Sequence, residues 1–265
     1  MGRAVGEPVA FRDIIVVGGG CYGTFYLNQL IHARERGAAA WERLLIVDQD
    51  AGCRAARERL AGEGVELRIG EWGAFFDEYL AAAIPSNPPD AIVPSPLMPH
   101  LMFEWLLRSA QRRWPGREIA RRGVTLPAGT PYDVLHADGT RYVSFADWLC
   151  PVHCIEPATC PVIRGPRTWE MSDTLGELAG RLGREGPVAG PVLFVCRHRT
   201  YGVGMFDVSE VLAGDAAVAA AGVPGGDVDV LVGTVSSCHG AVSLLHVGQS
   251  PRGGGGHSLP LYISA

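Results

Sequence analysis

The chain has 265 residues and a formal net charge of −5, and all 23 of its basic residues are arginine. The absence of lysine excludes a Walker A phosphate loop, a Schiff base with pyridoxal phosphate and a Ser-x-x-Lys nucleophile pair. Net acidity without a basic block argues against binding of nucleic acid.

The N-terminal part of the chain alternates between short apolar, β-branched runs and helical stretches. Strands are predicted at 13–17, 44–47, 65–69 and 90–93, and helices at 25–37, 52–61 and 74–83. This alternation is typical of a parallel sheet with helices on both faces.

The rest of the chain is less regular, with a Pro- and Gly-rich stretch from 114 to about 169. Helices are predicted at 101–113, from a cap at Ser172 or Asp173, and at 208–221. Strands are predicted at 192–195 and 228–235, whereas periodicity leaves 241–247 as a strand or a short helix. A hairpin is expected around Asp138-Gly139, and 253–256 is expected to be a flexible tail element.

A glycine motif, Gly18-x-Gly20-x-x-Gly23, follows the first strand and opens the first helix. Its glycines allow a tight turn, close approach of a pyrophosphate and packing of the helix on the strand. Asp48 ends the second strand, where a carboxylate accepts both ribose hydroxyls, and Asp50 would repel a 2′-phosphate, which favours NAD over NADP. The predicted cofactor-binding residues are Gly18, Gly20, Cys21, Tyr22, Gly23 and Asp48.

Other ligands of such a turn are weighed against NAD. S-adenosylmethionine enzymes usually place an acid before the first glycine, where this chain has Val16 and Val17. Flavin folds often carry a further glycine where Gln29 stands. A turn of this fold that has lost its ligand is the structural alternative.

The segment from about 13 to 100 resembles Rossmann NAD-binding domains, especially the nucleotide-sensing domains of potassium-uptake regulators. The resemblance is carried by the glycine motif, by Ile46–Asp50 and by Gly70-Glu71, and it implies a regulatory subunit that senses NAD. We expect a Rossmann-like, doubly wound, mostly parallel α/β sheet with an irregular Pro/Gly/Cys-rich insertion. The expected parts are a dinucleotide-binding half at 1–113, the insertion at 114–170 and an α/β part at 171–265 that completes the sheet.

Cysteines are concentrated in one loop, where Cys150, Cys154 and Cys160 fall within eleven residues stiffened by three prolines. Thiolates suit Zn²⁺ or an iron–sulfur cluster, although the spacing matches no standard pattern, and a rigid structural loop is the alternative. The chain lacks an apolar run of about 18 residues and a signal peptide, so no membrane span and a cytoplasmic location are expected. In the reducing cytoplasm, we expect the seven cysteines to be thiols or metal ligands rather than disulfides.

Further ligands are expected at two strand ends, because residues after the carboxyl ends of strands line the crevice of an open α/β sheet. Cys196 with His198 follows the strand at 192–195, and Cys238 with His239 follows that at 228–235. The predicted metal ligands that converge there are Cys150, Cys154, Cys160, Cys196 and Cys238. His153 and Glu156 are weaker ligand candidates, and Cys53 is expected to be a core residue.

These features predict an NAD-binding oxidoreductase with a Cys-ligated metal or redox centre. His198 or His239 would be its acid/base, because an unperturbed imidazole titrates near neutral pH. Arginines placed to bind an anionic small-molecule substrate or cofactor group are Arg164, Arg167, Arg197 and Arg199. Two alternatives stay open: a non-enzymatic NAD- or redox-sensing subunit that a partner protein reads, and a metal-handling protein. The sequence leaves a homodimer open as well.

Overall fold

A computed structural model describes residues 7–58, 64–151 and 154–250. Its helices are α1 (Cys21–Glu35), α2 (Arg54–Arg57), α3 (Trp72–Ala82), α4 (Leu101–Arg113), α5 (Met171–Leu182) and α6 (Val208–Gly222). Its strands are β1 (Val9–Val17), β2 (Ala39–Asp48), β3 (Val65–Ile69), β4 (Ala91–Val93), β5 (Ile119–Arg122), β6 (Tyr132–Leu135), β7 (Arg141–Ser144), β8 (Thr159–Cys160), β9 (Gly165–Pro166), β10 (Val188–Val195), β11 (Arg197–Thr200), β12 (Val203–Asp207), β13 (Val228–Val235) and β14 (His239–Val247). The fold is mixed α/β, and no helix within the described ranges is long and apolar enough to cross a membrane.

The first sheet has the strand order β11-β12-β4-β1-β2-β3. Its strands β3, β2, β1 and β4 are parallel, as their separation by helices predicts. β12 joins β4 in the antiparallel direction, and β11 extends the sheet beyond β12. The apolar run Ile14 to Val17 of β1 is buried because helices cover both faces of this sheet.

Helices lie on opposite faces of the first sheet on either side of β1. Leu27 of α1 and Ala55 of α2 share a core with Val16, whereas Phe76 of α3 packs with Ile15 on the other face. The connections therefore change face where the strand order reverses, between β1 and β4. In parallel sheets this reversal leaves a crevice outside the carboxyl ends of the two strands.

A second sheet has the strand order β10-β13-β14-β7-β6, and β5 also pairs with β14. β10 and β13 are parallel to each other, and the other pairs are antiparallel. The hairpin predicted around Asp138-Gly139 is confirmed as the turn between β6 and β7. The segment that periodicity left open, 241–247, is a strand within β14.

The expectation that the C-terminal strands complete the first sheet is wrong for β10, β13 and β14. Of the described residues after 170, the hairpin β11–β12 joins the first sheet. The stretch 114–170, expected to be an irregular insertion, supplies β5, β6 and β7 to the second sheet. The physical reason is that strand pairing depends on contacts between distant segments, which local periodicity does not encode.

Two predicted helix ends also differ. α5 begins at Met171 rather than after a cap at Ser172 or Asp173, because the Met171 side chain is fully buried and its N–H donates to Ser237 O. The second helix, predicted at 52–61, is described only as α2, since 59–63 lie outside the described residues. The tail at 253–256 lies outside them as well.

Helices α3, α4 and α6 lie between the two sheets and join them into one core. Phe103 of α4 and Val211 of α6 belong to the same apolar cluster as Val17 of the first sheet and Phe194 of the second. α5 covers the other face of the second sheet through Leu175. The layers therefore run α1 and α2, first sheet, central helices, second sheet, α5.

Candidate functional site

A cavity of about 960 Å³ lies where the carboxyl ends of the parallel strands of the two sheets meet. Pro94 and Ser95 enter its wall directly after β4, while Cys196 and Ser236 enter it directly after β10 and β13. β11 carries the chain from the second sheet to the first along this wall. The volume is within the range of sites that hold a cofactor or a small substrate.

Cysteines and histidines that the sequence predicts to lie together border this one cavity. The residues that the sequence placed together and that line this cavity are Cys150, Cys154, Cys160, Cys196, Cys238, His198 and His239. Cys150 and Cys154 come from the loop after β7, and Cys160 lies in β8. The others follow parallel strands, although these strands belong to the second sheet rather than the first. The two strand ends are tied together, because the Cys196 N–H donates to Val235 O over 2.7 Å.

Glu156 anchors the cysteine loop to the wall of the cavity. Its carboxylate accepts from Ser236 Oγ at 2.6 Å and from the Ser237 N–H at 2.7 Å. The Glu156 side chain is 8% exposed, and its backbone has φ +50°, a left-handed conformation that is uncommon outside glycine. The two hydrogen bonds of this buried carboxylate therefore hold the loop against the cavity wall.

His239 lies between a serine and this carboxylate. Its Nδ1 is 2.8 Å from Ser144 Oγ, and its Nε2 is 3.9 Å from Glu156 Oε1. The His239 side chain is 48% exposed, so the ring remains accessible from the cavity. The hydrogen bond at Nδ1 orients the ring, and the Glu156 carboxylate lies near Nε2 without a hydrogen bond to it.

Burial sets the ionisation of the groups at the end of β10. Desolvation lowers the pKa of His198 below its ordinary value, against the opposing charge of Glu156. Desolvation raises the pKa of Cys196 to about 12, and the charges of Glu156 and Glu210 act in the same direction. At neutral pH His198 is therefore an uncharged imidazole and Cys196 an uncharged thiol.

Two further thiols are disfavoured as thiolates. Burial raises the pKa of Cys238 to about 11, although the Trp169 Nε1–H donates to its sulfur over 3.3 Å. Burial also raises the pKa of Cys150, and the neighbouring Cys154 and Cys160 add to the shift. All seven cysteines are free.

The geometry does not form a complete metal site. Among the residues that the structure describes, no group of three or more His, Cys, Asp or Glu side chains is arranged to hold a metal ion. The weaker ligand candidate His153 lies outside the described residues, whereas Glu156 is used by Ser236 and Ser237. Metal binding by the five cysteines stays a prediction.

The glycine loop has the backbone that its sequence requires. Gly18 has φ +85°, and a Cβ on Gly23 would lie 1.6 Å from Gly18 O, so neither position accommodates a side chain. A Cβ on Gly20 would meet nothing within 4 Å. Among the described residues no side chain caps the N-terminus of α1, which begins directly after Gly20.

Asp48 stabilises this loop from the end of β2. Its Oδ2 accepts from the Gly19 N–H at 2.6 Å, and its Oδ1 accepts from the Asp50 N–H at 2.9 Å. Each carboxylate oxygen has two lone pairs, so both oxygens keep acceptor capacity for a ribose. Asp50 Oδ1 accepts from the Gly52 N–H at 2.7 Å, which forms the turn into α2.

The glycine loop and the cavity are adjacent but distinct. Of the predicted cofactor residues, Cys21 and Tyr22 are exposed at the start of α1, and none of the set lines the cavity. The next turns of the same helix do line it, through Phe25, Tyr26 and Gln29. A ligand that begins at the loop and runs along α1 therefore reaches the cavity.

The arginines expected to bind an anion are occupied by carboxylates. Arg167 and Arg199 line the cavity, where Arg167 pairs with Glu170 and Arg199 Nη1 lies 2.5 Å from Asp207 Oδ1. Arg197 Nη1 lies 2.6 Å from Glu210 Oε1, and Arg164 is exposed outside the cavity wall. Their charges are therefore largely compensated within the protein.

Sequence reasoning missed the polar groups that organise this wall. Ser144 carries no sequence signal, because one serine at a strand end forms no pattern. Glu156 is a ligand candidate in the sequence, and its anchoring role is not evident there, since its partners at 236 and 237 are distant along the chain. The Pro- and aromatic-rich composition of the loop was the available signal, because such loops line binding cavities.

Residues 102–248 match a family model described as "Uncharacterized protein, C-terminal domain". This match covers more than half of the chain. The chain belongs to the AF_1314_C family. Neither the curated proteins nor the solved structures gave a match.

The AF_1314_C match runs from α4 to the residue after β14. It contains the cysteine loop, both histidines and the whole second sheet, but not the glycine loop or α1. The wall of the cavity formed by the second sheet therefore belongs to the family region. The resemblance of the N-terminal part to nucleotide-sensing domains stays a prediction.

Proposed function

We propose that the protein binds NAD at the Gly18–Gly23 loop and Asp48 and oxidises or reduces a small molecule in the cavity. The observation that carries this proposal is the position of α1. The helix starts at the glycine loop, and its residues Phe25, Tyr26 and Gln29 line the same cavity as the cysteines and histidines.

The topology supports a dinucleotide at this edge. The parallel order β3-β2-β1-β4, with connecting helices on both faces, is that of a Rossmann-like half. In such sheets the ligand occupies the crevice where the strand order reverses, and here the cavity begins at Pro94, immediately after β4. We therefore assign the doubly wound class to the first sheet as part of the proposal.

The loop chemistry favours NAD over NADP. The first turn of α1 directs uncapped N–H groups and the positive end of the helix dipole toward the open side of Gly20, which suits a pyrophosphate. Asp48 offers its remaining lone pairs to ribose hydroxyls. Asp48 and Asp50 together would repel a 2′-phosphate.

Bound NAD would supply the hydride acceptor or donor. The chain's own contribution is to move the accompanying proton, and His198 and His239 are the groups in the cavity suited to it. His198 is uncharged at neutral pH because of its burial, so it can accept a proton from a substrate hydroxyl. The aromatic and proline side chains of the wall would hold an uncharged, largely apolar substrate, because the wall arginines are already paired.

Metal binding remains part of the proposal for Cys150, Cys154, Cys160, Cys196 and Cys238. Two sulfurs already accept N–H groups, Cys154 from Glu156 N at 3.4 Å and Cys238 from Trp169 Nε1 at 3.3 Å. Such hydrogen bonds are the outer contacts that metal-bound thiolates use. Thiolates are soft ligands of the kind that zinc and iron–sulfur clusters prefer, so this part of the proposal rests on the chemistry of the cysteines and not on their present arrangement.

Titration of the purified protein with NADH tests the nucleotide site. Gly20→Ala adds a methyl group in open space, so the fold should stay intact while the affinity for NADH falls at least about tenfold, or ~1.4 kcal/mol. Gly180→Ala, remote on α5 with no atom near its added Cβ, is the matched control and should bind like the wild type. Absence of NADH binding, or equal affinity in Gly20→Ala, would defeat the assignment.

Anaerobic purification with metal analysis and an absorption spectrum tests whether the cysteines bind a metal. An assay of NADH oxidation with an artificial acceptor then tests for enzyme activity. Activity that Cys150→Ser abolishes would support the enzyme, and unchanged activity would reject this site. Nucleotide binding by a colourless, metal-free protein without turnover would favour the sensing subunit. Metal without nucleotide binding would favour metal handling.

A further inference from the structure

A serine that the oxidoreductase proposal does not use lies against His239. Ser144 ends β7 and stands directly opposite His239, the first residue of β14, in the antiparallel register. Opposed residues of such a pair point to the same face, and both side chains line the cavity. Ser144 Oγ lies 2.8 Å from His239 Nδ1, within hydrogen-bond distance.

The Glu156 carboxylate lies near the other nitrogen of the His239 ring, beyond hydrogen-bond distance. This carboxylate, held by the hydroxyl of Ser236 and the N–H of Ser237, places Oε1 3.9 Å from His239 Nε2. A carboxylate accepts and does not donate, so this arrangement favours the proton on Nε2. Nδ1 then presents its lone pair to the Ser144 hydroxyl.

The serine oxygen has the surroundings of a held nucleophile. The Ala146 N–H donates to Ser144 Oγ over 2.9 Å, which fixes the rotamer of the serine. Ala146 O, also 2.9 Å away, is the alternative acceptor for the hydroxyl proton. A purely structural serine would use this carbonyl, whereas a reactive one would use His239.

The backbone at Glu156 points to a site rather than to a loop of arbitrary shape. A left-handed conformation at φ +50° is disfavoured for glutamate, and the buried carboxylate contacts are what hold it. Outliers of this kind persist where the surroundings over-determine them, often at sites of chemistry. The residue with this backbone is the one whose carboxylate lies 3.9 Å from the histidine ring.

We propose that Ser144, His239 and Glu156 form a nucleophile, base and positioning carboxylate that transfer acyl groups. The substrate class is an activated ester or thioester with an apolar or aromatic acyl group. Its acyl part would pack against the aromatic wall, which contains Tyr132, Tyr142, Trp148 and Trp169. This activity goes beyond the proposed NAD chemistry and does not need the nucleotide.

The reaction balances without a further reagent. Ser144 Oγ bonds to the acyl carbon while its proton passes to His239 Nδ1, and the bond to the alcohol or thiol leaving group breaks as that proton is delivered to it. Water then attacks the acyl-serine ester and gives its proton to the same nitrogen. The carboxylic acid leaves, and the proton returns to Ser144 Oγ.

Labelling of the 265-residue chain with a fluorophosphonate probe, mapped by mass spectrometry, tests the proposal. The expected result is an adduct on Ser144 that Ser144→Ala abolishes. Ser209→Ala is the matched control, because Ser209 is an exposed serine of α6 outside the cavity wall, and the labelling rate of this variant should equal that of the wild type. No adduct on Ser144 in the folded wild type would overturn the proposal.

Two further sets of variants distinguish a catalytic role from a structural one, provided that each variant has the melting temperature of the wild type. His239→Ala should lower the labelling rate at least about 100-fold, and added imidazole should restore part of it. Glu156→Gln should lower the rate at least about tenfold, whereas Glu156→Asp should keep more of it. Undiminished labelling in His239→Ala would refute the base. NADH titration of the same samples reports on the nucleotide site alone, so failure of one proposal is distinguishable from failure of the other.

Discussion

At the scale of single residues, burial rather than residue type decides what a polar group does. His100 shows this: it stacks on Phe103 with ring centroids 4.8 Å apart, and its Nδ1 lies 3.4 Å from Thr234 Oγ1. Although His100 follows Pro99 directly before α4, only 6% of the residue is exposed. Desolvation, with the charge of Arg121 acting in the same direction, lowers the pKa of His100 to about 3.

This shift predicts an acid-sensitive fold. Because the folded pKa lies below the ordinary value of 6.5, protonation favours the unfolded chain. Stability that is complete above pH 6.5 is therefore lost as the pH falls toward 3. As the pH decreases, the free energy of unfolding should fall less steeply in His100→Leu than in the wild type. The two slopes should differ by up to about 1.4 kcal/mol per pH unit.

Denaturant titrations at a series of pH values below 6.5 measure this slope. Leu149→Ala changes an exposed side chain that does not titrate and is the control, whose slope should match that of the wild type. Equal slopes in His100→Leu and the wild type would contradict the prediction.

At the scale of elements, local pattern located most helices and strands but not their partners. The strand runs at 65–69 and 228–235 and the helix at 101–113 have the same bounds in the structure as in the sequence. Membership of β10 and β13 in a second sheet was not predictable, since a run such as Val192–Val195 is compatible with either sheet. The close packing of α6 on β10 follows from that membership.

Alanine substitutions at two helical glycines distinguish the effect of side-chain packing from that of helix propensity. A Cβ on Gly214 of α6 would lie 2.8 Å from Val192 Cγ1, so Gly214→Ala should destabilise the protein by about 1–3 kcal/mol. Gly180→Ala on α5 meets no atom within 4 Å and should stabilise it by about 0.5–1 kcal/mol. Chemical denaturation measures both, and effects of the same sign would refute the assigned packing of α6.

At the scale of the whole molecule, one core joins two sheets, whereas the sequence predicted a single sheet. Phe103 is fully buried in the cluster that contains Val17 of the first sheet and Val232 of the second. Removal of its ring should therefore weaken both sheets together. The same arrangement brings two sets of strand ends to one cavity, so the stability of the site depends on this central layer.

Phe103→Ala should cost about 3–5 kcal/mol of the free energy of unfolding. Hydrogen exchange should show loss of protection in β2 and β13 alike, because the cluster serves both sheets. Leu149→Ala, at a position 98% exposed, is the control and should leave exchange unchanged. Loss of protection confined to β13 would show that the sheets unfold independently.

The sequence by itself determined the parallel β-α alternation, the glycine turn and the gathering of cysteines and histidines at strand ends. These features depend on residues close in the chain, whose periodicity and conformational limits are local properties. The tertiary structure decided that β10 and β13 form a second sheet, that Glu156 reaches Ser236 and His239, and that Ser144 stands opposite His239. Those contacts join segments up to 95 residues apart, and their free energy depends on packing of the whole chain rather than on any local pattern.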